Sequence, residues 1–348
     1  MRLSIDSLSL DVNDHRVYAL LSGQGPAIML FHASPMNSAS LIPLINLLSD
    51  THTVIAVDTP GYGRSDVPSQ QPTDLTFYAD VVDNLREQLN LDKMAIYGTA
   101  TGAQIGVRYA LDYPDHVEHI FLDNVAHFSS DMAEQVMDDY FPNLTPRIDG
   151  SHLPVLWDNV VNLFKYFPWC WKHDDYRLSS PLPSVDILHK VAVLYLQAGG
   201  TYDWAYRAAF EHERREYIAQ LQVPTTIFRW DLSIVKKFTD QIFEIDLTSH
   251  VDEVRITAAE DRYEKIAQTI TLTYRPAKFK SPISSSLSRS RQTRDVASHT
   301  GDDMLDRHIT PELSGNYLLE SWKRCRQINP TIQLEKLNHT FINWISKA

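Results

Sequence analysis

The residues best placed for chemistry sit where apolar runs end. The run Met94 to Gly98 gives way to Gly98-Thr99-Ala100-Thr101-Gly102, and a helical pattern of small residues follows, with Ala103, Gly106, Val107, Ala110 and Leu111 on one side. A strand that turns into a helix so abruptly aims the first helical N–H groups, that of Thr101 among them, at one point that suits an anion. Ala100, between the glycines, has only a methyl group there, which can neither attack a carbonyl nor be activated by a base. His32 and Ser34 follow the run Ala27 to Phe31. The imidazole suits acid–base work and the hydroxyl suits ligand binding, while the plainer reading has His32 orient its turn and has Ser34 and Thr101 satisfy turn and helix-start backbone groups. His152, in Asp149-Gly150-Ser151-His152, either lines a pocket or caps a helix.

These residues need a framework, and the bulk numbers allow one. The 348 residues are 43% hydrophobic and 10% aromatic, enough to bury a large core. A net charge of −12 argues against a nucleic-acid binder, which needs a basic face. Cys170 and Cys325 are too few and too far apart for a disulfide scaffold or a cysteine metal site, and no metal or cofactor is expected. Asp6, Asp11 and Asp14 stand in a start that lacks the basic-then-apolar order of a secretory signal, and no run is long enough to span a membrane. A cytoplasmic protein with a small-molecule partner, without membrane or nucleic-acid contact, is the expectation, with self-association open.

Eight strand-like runs position the motifs: 8–12, 17–21, 27–31, 53–58, 94–98, 119–124, 225–230 and 253–257. Most are apolar almost throughout, which marks parallel strands covered on both faces by helices. Asp74 can cap a helix whose Leu75, Tyr78, Val82, Leu85 and Leu89 form one stripe. Between 129 and 221 the strand rhythm stops and aromatic residues accumulate, from Trp157 through Phe164, Phe167, Trp169 and Trp171 to Tyr206. That stretch reads as a helical cap inserted into one α/β core made of 1–128 and 222–275, with the aromatic residues packing it. Residues 276–300 are serine-rich, basic and poor in apolar groups, the composition of a flexible linker. The 301–348 extension repeats T-P-x-[IL]-x-G-x-x-L-x-x-x-W, present at Thr145–Trp157 and again at Thr310–Trp322, which suggests a second copy of the cap's first helix.

Three stretches in order resemble the α/β-hydrolase fold superfamily: Phe31-His32-Ala33-Ser34-Pro35, Asp58-Thr59-Pro60-Gly61-Tyr62-Gly63-Arg64-Ser65-Asp66, and the Gly98–Gly102 turn. The resemblance implies a mostly parallel eight-stranded sheet with helices on both faces and an inserted cap. It further implies that the N–H groups of Ala33 and Thr101 form an oxyanion cradle, and that position 100 is the seat of a serine nucleophile in G-x-S-x-G. Here the seat holds Ala100. The resemblance offers Asp231 and Asp123 as seats for the triad acid, but where it places the histidine this chain reads Ala258-Ala259-Glu260-Asp261-Arg262-Tyr263, and His250 precedes the strand instead of following it. The chain is also similar to a branch with H-x-S-P, D-T-P-G-x-G-x-S-D, G-x-x-T-G-A and D-G-x-H-L-x-x-x-W in which the elbow centre is often not serine. Two functions follow: a hydrolase-family protein that handles a small, partly apolar ester, lactone or related carbonyl compound without a covalent intermediate, or a non-catalytic pseudo-hydrolase that binds or regulates.

Overall fold

The computed structural model describes residues 4–12, 15–257 and 262–276. The 301–348 extension, with its repeat at Thr310–Trp322, and nearly all of the 276–300 linker lie outside the described residues.

All eight strand runs form strands, and they join into one sheet. They are β1 (Asp6–Val12), β2 (His15–Ser22), β3 (Ala27–Phe31), β4 (Thr53–Val57), β5 (Met94–Thr99), β6 (Val117–Asp123), β7 (Thr225–Trp230) and β8 (Val251–Ile256), in the order β1-β2-β4-β3-β5-β6-β7-β8. From β4 onward every pairing is parallel, while β1 and β2 are antiparallel additions at one edge. Continuous apolarity has the expected cause. Every residue of β3 and β4 is buried, and neighbours along a strand enter opposite layers, Met29 and Ile96 on one side, Ile28 and Tyr97 on the other.

Helices cover both faces. The helix α1 (Ile42–Leu48) brings Leu44, Ile45 and Leu48 to the Tyr97 side, where Ile266 and Ile270 of α10 (Arg262–Thr273) join them. On the other side lie α2 (Thr76–Gln88) and α3 (Thr101–Asp112). Asp74 accepts from the Thr76 N–H at 2.7 Å, and the stripe Leu75, Tyr78, Val82, Leu85 and Leu89 is buried as its spacing requires.

Between β6 and β7 the chain is helical: α4 (Ser130–Tyr140), α5 (His152–Leu163), α6 (Val185–Ala198), α7 (Trp204–His212) and α8 (Arg215–Ile218). A short α9 (Lys236–Asp240) follows β7. The Asp149–Trp157 stretch starts the second helix of the insertion, α5, and not the first; Ser129, which accepts from the Met132 N–H, caps a helix before it. The aromatic residues pack: Phe128 stacks on Phe167 and Phe210, and the Trp169 indole N–H donates to the Tyr140 carbonyl at 2.9 Å. Among the described residues no helix is long and apolar enough to cross a membrane.

Candidate active site

The strand-to-helix turn is as sharp as its glycines suggest. Ala100 adopts φ 49° and ψ −116°, a left-handed conformation that a side chain disfavours, and hands its carbonyl to the N–H groups of Ala103 and Gln104. Its own N–H donates to the Asp123 carbonyl at 3.0 Å, which ties the apex to the neighbouring strand. A Cβ on Gly98 would stand 2.2 Å from the Gly102 carbonyl oxygen, and one on Gly102 would stand 2.3 Å from the Phe31 carbonyl oxygen. Both glycines are therefore steric requirements of the turn, and the strained apex that raises a nucleophile elsewhere raises a methyl group here.

The turn after β3 is fixed by His32. Its Nε2 accepts the Thr59 N–H at 3.0 Å, so the ring proton is on Nδ1, which lies 2.9 Å from the Ala33 carbonyl and donates to it. Burial lowers the imidazole pKa, in keeping with a neutral ring. With both nitrogens held by backbone, the acid–base role weighed for His32 has no free ring nitrogen to use; the side chain clamps the turn that carries Ala33 and Ser34. The Asp58 carboxylate performs a parallel task by accepting the N–H groups of Ser38 (2.6 Å) and Arg64 (2.8 Å). Ser34 Oγ and Thr101 Oγ1, by contrast, are buried without a hydrogen-bond partner. The turn and helix start therefore do not absorb these hydroxyls.

The two carboxylates fare differently. Asp231, just past β7, is exposed and has Lys236 Nζ at 3.8 Å. Asp123, the last residue of β6, is fully buried, accepts the Tyr97 hydroxyl at 2.8 Å and pairs with the Arg262 guanidinium at the start of α10. Arg262 also lies over the Trp230 ring, 4.4 Å from its centre. His250 immediately precedes β8, whereas the elbow follows the end of β5, and the strands run parallel. A six-residue strand rises roughly 20 Å, so His250 stands at the opposite edge of the sheet.

A nearly all-parallel sheet with a glycine-flanked turn after β5 matches known proteins. A family described as alpha/beta hydrolase fold matches residues 26–162. Epoxide hydrolase A from Mycobacterium thermoresistibile superposes with a TM-score of 0.61 at 18% identity, covering 80% of this chain and 100% of that one. The chain has the α/β-hydrolase fold. Among curated proteins it is similar to a fluoroacetate dehalogenase of a Burkholderia species, 33% identical over 112 residues, 31% of this chain and 37% of that protein. It is likewise similar to a 2-(acetamidomethylene)succinate hydrolase of Mesorhizobium japonicum, 34% identical over 119 residues, 34% of this chain and 40% of that one. The matched region thus spans about two fifths of the length of these relatives.

Within this α/β-hydrolase core, Arg262 escaped sequence reasoning although it lies in the stretch where a histidine was sought. The signal was its place, one residue before α10's Tyr263, but its partner is 139 positions away. His152 accepts the Arg147 N–H at 3.1 Å, a contact inside its own loop at the start of α5. Phenols gather on the inserted helices: Tyr206 and Tyr140 share a hydrogen bond of 2.8 Å, and the buried Tyr62 hydroxyl of the Asp58–Asp66 loop donates to the Tyr202 carbonyl at 2.6 Å. The Tyr62 ring also meets His32 edge-on at 5.8 Å, which brings these phenols to the turn of Ala33 and Ser34. Cys170 is a free thiol, pushed up to about 11 by burial, and thus protonated and unreactive at neutral pH.

Proposed function

We propose that this α/β-hydrolase-fold protein holds a small, partly apolar carbonyl compound, an ester, lactone or relative, between its sheet and the inserted helices, which act as a cap, and forms no covalent intermediate with it. It is a pseudo-hydrolase that binds or regulates. The observation that carries this reading is the pairing of a preserved elbow with a methyl apex: Ala100 keeps the strained φ of 49° and presents nothing that can attack. The Arg262–Asp123 pair supports it, because the buried carboxylate of Asp123, whose backbone carbonyl accepts the Ala100 N–H, is paired with a guanidinium that does not give up its proton. The N–H groups of Ala33 and Thr101, with the unpartnered hydroxyls of Ser34 and Thr101, supply donors for a carbonyl oxygen. Both relatives are named for small organic molecules, which fits a ligand of that size.

The test uses the whole chain. Incubation with p-nitrophenyl butyrate or a fluorophosphonate should leave its intact mass unchanged, while calorimetric titration with small esters and lactones should give saturable binding. An acyl or phosphonyl adduct, or multiple turnover of the ester, would overthrow the reading.

A further inference from the structure

Two histidines fasten the corner between α7 and α8 to the core. His212 is the last residue of α7, and its Nδ1 lies 3.1 Å from the side-chain oxygen of Gln104 on α3, so the ring donates there. Gln104 is buried, and its own N–H is bonded to the Ala100 carbonyl, which puts this contact one helical turn from the elbow apex. His127 lies in the segment after β6, and its Nδ1 accepts the Arg215 N–H at 3.2 Å. Between the two, Glu213 is 7% exposed and its carbonyl accepts the Phe128 N–H at 2.8 Å. Ties at His212, Glu213 and Arg215 therefore hold one corner of the insertion against α3 and the segment after β6.

Both histidine ties suit an uncharged ring. A backbone N–H can only donate, so His127 Nδ1 must be bare to accept it, and a proton there abolishes the bond. The Glu216 carboxylate, 4.0 Å from that nitrogen, then becomes a competing partner. The Gln104 bond of His212 survives protonation, but the added proton goes on Nε2, which is buried without a hydrogen-bond partner. The His212 ring stacks on Tyr217 at 4.3 Å, and the charges acting on it are Arg108, itself paired with Asp112, then Arg214 and Asp74, so cations outnumber the acid. Around His127 stand Arg215, Glu216, Arg214 and Glu244. Burial prevails at both rings and lowers their pKa, for His212 to about 4.

We propose that the α7–α8 corner is an acid-released latch, shut while His127 and His212 are neutral and detached from α3 and the segment after β6 when the two rings take up protons. In the released corner each ring titrates near its ordinary value of about 6.5, so below that pH the open state binds protons that the shut state refuses. Opening grows as pH falls, by up to about tenfold per pH unit for each ring, until the shut-state pKa is reached. Glu213 works in the opposite sense, because its raised pKa keeps a proton in the shut state that the open state releases, but it is one group against two. The latch goes beyond the ligand-binding reading and needs no ligand.

Amide hydrogen exchange of the full chain at pH 7, 6 and 5, with each rate divided by its intrinsic rate, follows the opening. The comparison is the double variant His127→Asn with His212→Asn, in which an amide oxygen and an amide N–H replace the two Nδ1 atoms without titrating and Glu213 is retained. From pH 7 to 5, protection of residues 204–218 in the wild type should fall by about tenfold or more relative to the double variant, while β3 and β5 keep theirs in both. Gln104→Glu, which gives a charged His212 an anionic partner, should recover about half of the logarithmic loss. A wild-type-to-variant ratio that does not change with pH would overturn the latch. So would a loss shared equally by β3 and β5, which would mean that the whole chain unfolds. Should the double variant be unfolded at pH 7, Gln104→Glu carries the test alone, and an acid loss equal to that of the wild type would overturn the latch.

Discussion

The Arg262 guanidinium, at the first residue of α10, pairs with the Asp123 carboxylate at the last residue of β6, and the contact fastens a helix from one face to the C-terminal edge of the sheet. Both side chains are largely withdrawn from water, 17% and 0% exposed, so removing one partner strands the other's charge. Arg262→Ala or Asp123→Ala should each cost about 3–5 kcal/mol of stability. The double change Asp123→Leu with Arg262→Met should cost clearly less than either, since no unpaired charge remains. Urea unfolding of the three variants measures this, and additive losses in the double variant would refute the pairing as the cause.

Ala100 predicts an inverse effect. Its φ of 49° is a conformation glycine adopts without a steric penalty. Ala100→Gly should therefore stabilise the fold by about 1 kcal/mol, the relief of backbone strain partly offset by the greater freedom of the unfolded chain. Ala100→Ser should restore no ester hydrolysis, because the stretch directly after β8, Ala258-Ala259-Glu260-Asp261-Arg262-Tyr263, offers no histidine to activate the hydroxyl. Thermal melts decide the first and a p-nitrophenyl ester assay the second.

Gly102 lies on the closest approach between α3 and the β3 turn. A methyl group added there meets the Phe31 carbonyl oxygen at 2.3 Å and the His32 carbonyl oxygen at 2.8 Å, both backbone atoms that cannot rotate aside. Gly102→Ala should displace the helix start and destabilise by on the order of 3 kcal/mol or more. It should also weaken ligand binding, since the Thr101 N–H moves with the helix. A crystal structure of the variant with the elbow unchanged would show that the contact is softer than its geometry.

How much of this was written in the chain depends on whether the interaction is local. The strands were legible because burial on both faces forces continuous apolarity, as in Ala27–Phe31 and Thr53–Val57. The elbow was legible because its two glycines are a steric demand of a few consecutive residues. The insertion was legible as helical, but its first helix, Ser130–Tyr140, was passed over: its polar Asp131, Glu134, Gln135, Asp138 and Asp139 dilute the apolar stripe that Ala133, Val136 and Tyr140 bury. The committed state of His32 was not legible, since its Nε2 partner, the Thr59 N–H, arrives from the loop after another strand. Arg262 and Glu213 were hidden for a related reason. A charged residue reads as solvated until the packing of distant elements, β6 against α10 or Phe128 against the end of α7, withdraws it from water.

Glu213 also makes the stability depend on pH in a direction that can be worked out. Its carboxyl has a raised pKa in the folded chain and an ordinary one, near 4.3, in the unfolded chain. Between those values the folded state holds a proton that the unfolded state has released, so wild-type stability falls as pH rises above the unfolded value, by up to about 1.4 kcal/mol per pH unit. Glu213→Gln removes the titration but keeps the shape. The variant and wild type should therefore be closest near pH 4, and the variant should gain steadily on the wild type as pH rises toward the folded pKa. The other acids and bases contribute alike to both proteins and cancel in the difference, including Arg214 and the Tyr206 phenol that face the carboxyl. Denaturation midpoints at pH 4.5, 6 and 7.5 give the comparison. A difference independent of pH would mean that the Glu213 carboxyl titrates equally in both states and is open to water in the folded chain.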